Sequence, residues 1–554
     1  QVRDPSGINA TTAYVYDLAD NLVEVTNSRG FTAKFSYDLM QRRVGLLDYQ
    51  GGYTSWDYDR ANNVLQVIDA NGNTTNYEYD LLDRVAAKIN AKGETERYGY
   101  DLRGNRTYLI QADGTVTLSV YDPLDRLVSV TQNYRNGGQP ASNDTNVQTQ
   151  YGYDARGLLK SVRNANNAET TRDYDPVGRM VEEIDPLRRV WRYSYDGVGN
   201  RVSRVDPLGK TTEYAYFPDN QRQQIKYADG STVDYTYDPN NNRLSMTDEL
   251  GPTVWQYDAL NRAVEQKDPF NRVLQFAYDT MDNRVQMIYP DGNQINYSYT
   301  GNNWLATVTG PMGTTQYQRD LVGNISLITH SNTTQTEIDY DKVYRPTSVH
   351  NLDAKGISSA FDYQYNVLGH VTQVVKTYGS QQLPRTEKYA YDGLQRLIRA
   401  EISPLKKNGE RVVMTYSYDS VGNRLSWQTN DDLTTHKASD GFNKTYRYDA
   451  ANQLIEAVDA AHQTFYAYDK NGNRIGQLEL LDGKALSGTE NRFDWENRLV
   501  TVQDFTLKSI RDIRSKKAKR QSQGDKFVND FLDRIARMTR RPVVEVERPV
   551  VEVE

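Results

Sequence analysis

Tyr98-Gly99-Tyr100-Asp101-Leu102-Arg103-Gly104-Asn105-Arg106 decides the fold, because it returns along the chain. It comes back as Tyr193 to Arg201, ending Gly199-Asn200-Arg201, and again as Tyr416 to Arg424 and Tyr466 to Arg474. In the last two copies Asn423-Arg424 and Asn473-Arg474 close the motif. Working outward, the Tyr-Asp pair alone recurs far more often. Its Tyr stands at Tyr16, Tyr37, Tyr58, Tyr79, Tyr100 and Tyr121, each step 21 residues. After an 11-residue insertion the series resumes at Tyr153 and runs at steps of 20 or 21 to Tyr299. One unit carries Arg319-Asp320 instead, and later members from Tyr340 to Tyr468 are mostly more widely spaced. A glycine keeps the same beat: Gly30, Gly51, Gly72, Gly93 and Gly114 each lie 14 residues after a marker Tyr.

A unit is thus a turn after Tyr-Asp, a short apolar run, a Gly turn and a polar run back to Tyr. Asp, Asn and Gly at fixed offsets supply turn capping and positive φ. The segments between turns are about six or seven residues, which suits strands and is too short for helices. The repeat therefore predicts an all-β chain of stacked hairpins, with tyrosines of neighbouring units in ladders. Two strands per unit give roughly 40 strands and a sheet on the order of 190 Å wide. Strand twist accumulates across such a sheet, so a spiral, hollow or open, is expected. A long flat solenoid is the alternative.

Composition agrees. The 554 residues suggest three or four domains by length alone, yet only 37% are hydrophobic while 42 are Tyr. That is too polar for one large filled core and too aromatic for a disordered chain. The absence of Cys excludes disulfides and thiolate metal sites. No apolar run reaches the ~18 residues of a membrane span. A net charge of −7 argues against nucleic-acid binding by the body.

No catalytic constellation stands out. His330, His350, His370, His436 and His462 are scattered without metal-ligand spacing. Asp69, Asn71 and Asn73, like Asp469, Asn471 and Asn473, imitate a calcium loop, but position 6 is Thr74 or Arg474 rather than Gly. Turn chemistry is the expected role. The aromatic stripes offer stacking surfaces for sugars, with inter-strand packing the blander use. No cofactor, metal or enzymatic activity is expected.

The Tyr-x-Tyr-Asp-x-x-Gly-Asn-Arg unit resembles the YD-repeat, or Rhs-repeat, family over about residues 1–504. Its members include bacterial Rhs polymorphic toxins, B and C subunits of insecticidal toxin complexes, wall-associated proteins and teneurins. The resemblance implies a β-spiral cocoon that, in the bacterial toxins, encloses a C-terminal toxin. Many toxin members end their repeats with an aspartate-dependent self-cleavage motif; none follows Tyr468, so that activity is carried to no residue here. Asp4-Pro5-Ser6-Gly7 resembles the mid-unit turn Asp206-Pro207-Leu208-Gly209, as though the chain opened inside a repeat.

Three irregular regions remain. The insertion Asn133 to Gln148 reads as a surface loop, and the widened units from about 340 should carry long loops on one rim, where partners bind. Residues 505–554 form a basic tail of 13 Lys and Arg against 8 Asp and Glu. Its residues 525–541 have helical spacing, with Phe527, Phe531 and Ile535 as the face expected to dock on the wall. The chain ends in two Val/Glu alternations suited to a sheet edge. The expected function is containment and delivery by a secreted or cell-surface Rhs-like toxin shell. Its partners would be a C-terminal cargo polypeptide or neighbouring shell segments. The alternative is an adhesion or carbohydrate-binding surface protein with a glycan partner.

Overall fold

The computed structural model describes residues 2–3, 10–136, 142–379, 384–403, 411–430, 442–481, 484–494 and 497–506. Phe527, Phe531, Ile535 and the rest of the tail after residue 506 lie outside the described residues. Among those residues the chain forms 45 strands in a single antiparallel succession, each hydrogen-bonded to the strands before and after it in sequence. No helix occurs among them.

One hairpin shows why. Strand Thr95–Tyr100 enters the turn at Asp101 and returns as Arg106–Ile110. The Asp101 N–H donates to the Asn105 carbonyl and the Gly104 N–H donates back to the Asp101 carbonyl. This is a type I turn closed by a left-handed residue, a common short hairpin connection. The left-handed position is Gly104 here, but Asp20, Gln41, Asn62, Asp83 and Asp125 in other units. Asp and Asn tolerate that conformation because their short polar side chains bond locally. The opposite end of each unit uses the same turn: Gly51 N–H donates to Asp48, and Gly51 sits at φ 85°. Gly30, Gly72, Gly93 and Gly114 share this geometry at φ 84, 80, 80 and 83°. Each unit therefore has two turns, one on a Tyr-Asp rim and one on a Gly rim.

The two faces of the sheet differ. Phe35 faces Leu46, Trp56 faces Val67 and Tyr214 faces Ile225 across strands on one face. On the other, Ser194–Ser203, Thr236–Ser245 and Ser417–Ser426 hydroxyls bond at 2.6 Å. Large buried side chains are scarce: the buried apolar residues are mainly Ala and Val, with Phe465, Ile225 and Leu478 the large ones. The sheet is a wall rather than a wrapping for a core.

The wall coils upon itself. Asn71, on the Gly rim after the seventh strand, donates to Asp320, on the Tyr-Asp rim after the thirtieth, at 2.8 Å. Its neighbour Asn73 donates at 2.8 Å to Tyr344, two strands further on. Each first-coil Gly turn thus nests in the notch between two successive Tyr-Asp turns of the second coil, 23 and 25 strands later. Twenty-four strands at ~4.8 Å make a circumference of about 115 Å and a diameter near 37 Å. The flat solenoid is excluded by this return contact.

Candidate functional site

Three nested contacts turn the repeat into a wall. The first lies within a turn. Asp101 accepts backbone N–H donors from Arg103 and Asn105 at 2.9 Å each, and its second oxygen accepts Asn105 Nδ2 at 3.0 Å. Asp80 does the same with Leu82 and Arg84 and pairs with the Arg84 guanidinium at 2.6 Å. These donors stabilise the ionised carboxylate. The side-chain bond from Asn105 first of all holds Asp101 below its ordinary pKa, and the bonds from Arg84 and Arg126 do so for Asp80 and Asp122.

The second contact joins one unit to the next through the residue four places after the Asp of Tyr-Asp, which is followed by the returning strand. Where it is Asn, the free amide proton reaches the left-handed residue of the next turn: Asn105 to Asp125 at 2.7 Å and Asn200 to Asn220 at 2.8 Å. Asn423 reaches Asn452 at 2.9 Å, and Asn473 reaches Asn497 at 2.8 Å. Where it is Arg, the guanidinium donates to the next turn's first carbonyl and covers the next marker ring. Arg84 bonds Asp101 O at 3.0 Å and lies 4.5 Å over Tyr100. Arg42 over Tyr58, Arg126 over Tyr153 and Arg396 over Tyr418 repeat it. The marker hydroxyl reaches back in turn: Tyr37, Tyr58, Tyr79 and Tyr100 donate at 2.9 Å, and Tyr121 at 3.3 Å, to a carbonyl 15 residues earlier. That carbonyl belongs to the residue facing the previous marker across a β-bulge. Tyr16, on the first complete hairpin, is 57% exposed.

This corrects the expected tyrosine ladder. Equivalent strands of successive units lie two strand spacings apart, about 9.6 Å, whereas rings interact at centroid separations of 4.5–7 Å. A guanidinium fills the gap. Arg106 covers Tyr98, Arg201 covers both Tyr193 and Tyr214, Arg424 covers Tyr446 and Arg474 covers Tyr466, at 4.5 to 5.7 Å. Stacked rings occur at isolated places such as Tyr363–Tyr365.

The third contact is the seam between coils, which sequence reading missed. Asn302 donates to Asp48 at 2.9 Å, Lys92 pairs with Asp341 at 3.2 Å, and Gln395 donates to Asp113 at 2.9 Å. Further along, Asn166 donates to Asp419 at 2.9 Å and Asn471 to Asp206 at 2.6 Å. Arg345 ties all three levels together. It pairs with its own turn's Asp341 at 2.7 Å, donates to Asn366 O in the next unit, covers Tyr365 and meets Glu94 of the other coil at 3.3 Å. Tyr344 bonds Asp69 across the same seam; burial and then that carboxylate push its hydroxyl up to about 12. Between the turns at 366–370 and 392–396 the seam opens into a cavity of about 480 Å³ bordered by Lys88, Glu94, Arg345 and His370.

The calcium-like triplets belong to this scaffold: Asp69 accepts the Asn71 and Asn73 N–H groups, as Asp469 accepts those of Asn471 and Asn473. Among the described residues no cluster of His, Asp or Glu is arranged to hold a metal. The insertion after Asn133 is a loop whose far side works as a seam staple. Arg396 donates to Asn143 O at 2.7 Å and Gly393 N–H reaches Asp144 at 3.4 Å. Its residues 137–141 lie outside the described set.

Such a laterally coupled, self-seamed β-wall is a repeat shell. The Teneurin YD-shell profile matches residues 54–226 and 281–403, more than half of the chain, and the RHS Repeat profile matches 218–253 and 257–294. The chain belongs to the YD-shell family. It is 26% identical over 311 residues to the tRNA3(Ser)-specific nuclease WapA of Bacillus spizizenii, covering 48% of this chain and 13% of that protein. Two solved structures share the fold over 89% of this chain. One is TcdB2-TccC3-TEV, with 13% identity, a TM-score of 0.58 and 32% of that chain covered. The other is a Photorhabdus luminescens Tc holotoxin pore, with 12% identity, a TM-score of 0.61 and 31% covered. The chain thus spans about an eighth of the curated relative and about a third of these solved chains. Among the described residues no helix is long and apolar enough to cross a membrane.

Proposed function

We propose that this chain is containment wall from a secreted or surface-displayed Rhs-like toxin, with residues 1–504 as shell and 505–554 as the start of, or a plug against, an enclosed C-terminal polypeptide. The observation that carries this is the seam. A sheet that meets its own rim over successive units curves around a space, and the scarcity of large buried side chains among the described residues supports a wall rather than a packed core. The kinship with WapA and the shared fold of the Tc assemblies support a toxin setting. The role is structural: the aspartates of the turns are engaged by backbone and side-chain donors, as a scaffold requires. The glycan reading is weaker, because guanidinium groups already cover many of the ring faces that a sugar would stack on.

Limited trypsin digestion read by mass spectrometry tests the proposal. Containment predicts that Arg534, Arg537 and Arg540 stay uncut until the shell itself opens. Rapid loss of everything after Lys508 from an intact wall would overturn it.

A further inference from the structure

Four Asn-Gly pairs occur in the chain, opening at Asn71, Asn136, Asn408 and Asn471. Gly137, Asn408 and Gly409 lie outside the described residues. The remaining pairs, Asn71-Gly72 and Asn471-Gly472, both stand on the seam, one on each side of it. Asn71 belongs to a first-coil Gly turn, and both ends of its amide cross to the second coil. Its Nδ2 donates to Asp320 at 2.8 Å, and its Oδ1 accepts the Leu321 N–H at 3.2 Å. Asn471 belongs to a second-coil Tyr-Asp turn, and its Nδ2 donates to Asp206 of the first coil at 2.6 Å. At both places a neutral amide faces a carboxylate of the other coil. The position does not require an amide: Lys92 holds the place of Asn71 one unit on and pairs with Asp341 at 3.2 Å.

An asparagine followed by glycine loses its side-chain amide readily, because glycine has no Cβ to shield its nitrogen. The Gly nitrogen attacks the Asn side-chain carbonyl carbon and forms a new C–N bond. The old bond to Nδ2 breaks, and Nδ2 leaves as ammonia with the proton from the Gly nitrogen, closing a succinimide ring. Water then cleaves one of the two ring C–N bonds. Cleavage at the side-chain carbonyl gives Asp, and cleavage at the main-chain carbonyl gives isoaspartate. We propose that Asn71 and Asn471 are sites of this modification, and that it makes the seam a one-way latch. The closed seam holds the reaction off. The Gly72 N–H donates to Asp69 O at 2.9 Å and the Gly472 N–H to Asp469 O at 3.2 Å, while each Asn amide is tied to the other coil. Parting of the coils frees the amide and leaves the turn without its brace. Conversion to Asp then sets a second carboxylate against Asp320 or Asp206, and like charges at that distance cannot both ionise without cost. Isoaspartate instead lengthens the backbone inside the turn and breaks its closure. Either product bars that notch from closing again. The inference rests on the seam alone and does not depend on what the wall contains.

The test follows conversion in the full chain by peptide mapping and mass spectrometry, in mildly alkaline buffer with and without urea. In the native chain Asn71 and Asn471 should convert at least about tenfold more slowly than the same residues in urea, because the reaction must wait for local opening. The effect of the product is read on Asn71→Asp, with Asn71→Ala as the variant that only loses the hydrogen bonds. Hydrogen exchange at the N–H groups of Gly72 and Gly323, in the two facing turns, should be at least about threefold faster in Asn71→Asp than in Asn71→Ala. The melting temperature of Asn71→Asp should be the lower of the two. In an Asp320→Asn background that excess should vanish, since the amide at 320 then faces the carboxylate at 71. Asn90, Asn164 and Asn366 already open turns of this kind, so the background variant keeps a turn-capping side chain. Native conversion as fast as in urea would overturn the latch. So would Asn71→Asp exchanging no faster than Asn71→Ala, or an excess that survives in the Asp320→Asn background.

Discussion

The regular first coil and the widened units after residue 340 solve the same problem with different physics. Up to about residue 300 the strands have mostly five or six residues and the stabilising contacts are polar and periodic: the turn aspartate, the Asn or Arg bridge and the tyrosine hydroxyl. After 340 strands reach 8 to 10 residues, and most of the buried apolar side chains gather there, including Val374, Ala400, Val412, Phe465 and Leu478. Buried Glu387 and Glu490 lie in the same region, Glu387 paired with Lys376 and Arg385 at 2.9 Å. Longer strands bring more side chains over one another, so packing takes over where periodicity fades. A repeat wall distributes small contacts over many units, whereas its irregular end concentrates large ones.

The largest expected effect separates these regimes. Phe465→Ala, at a site 2% exposed, should cost about 3–5 kcal/mol by cavity formation. Phe35→Ala, half-buried in the regular coil, should cost about 1–2 kcal/mol. Equal losses in chemical denaturation would erase the distinction.

Arg345→Ala should come next, at about 2–4 kcal/mol, because it leaves Asp341 and Glu94 without their shared cation in a part-buried seam. Arg345→Lys should recover only part, since an ammonium cannot serve both carboxylates and cover a ring in one fixed plane. Full recovery in thermal melts would mean that charge alone matters there. Gly93→Val should cost about 1–2 kcal/mol through backbone strain at φ 80°, as open space surrounds the added side chain. An unchanged melting curve would refute that. Tyr100→Phe removes one hydrogen bond to Val85 O and should cost only about 0.5–1.5 kcal/mol.

The pH dependence should also divide the molecule. Turn aspartates such as Asp80, Asp101 and Asp122 have folded pKa values below their ordinary range. Their contribution is therefore complete above the unfolded pKa of about 3.9 and is lost as pH falls through the lower folded values. Hydrogen exchange between pH 5 and 2.5 should show the regular coil opening first. Earlier opening of the densely packed later strands would contradict that order.

Much of this was legible in the sequence. The 21-residue beat fixes strand number, turn sites and the conformation of residues such as Gly72 and Asp83, because a turn is a local object. The Arg at the fourth place after Tyr-Asp's Asp, as in Arg42 and Arg84, was equally readable, but its partner ring lies one unit on and the ladder expectation hid it. The seam was beyond local reading. Asn71 and Asp320 are 249 positions apart, and their meeting depends on how much twist each hairpin adds. The staple at Asn143 read only as part of a surface loop for the same reason, since its partner Arg396 belongs to another coil.

The most direct test of the coiled wall joins its two rims. With Asn71→Cys and Asp320→Cys in the otherwise Cys-free chain, a short bis-maleimide should link them within one molecule, giving a faster-migrating monomer and a single cross-linked peptide pair by mass spectrometry. If both cysteines instead label separately, with no link beyond that of a control pair such as Asn71→Cys with Asp196→Cys, the wall does not come round in 23 strands and the account of a seamed coil is wrong.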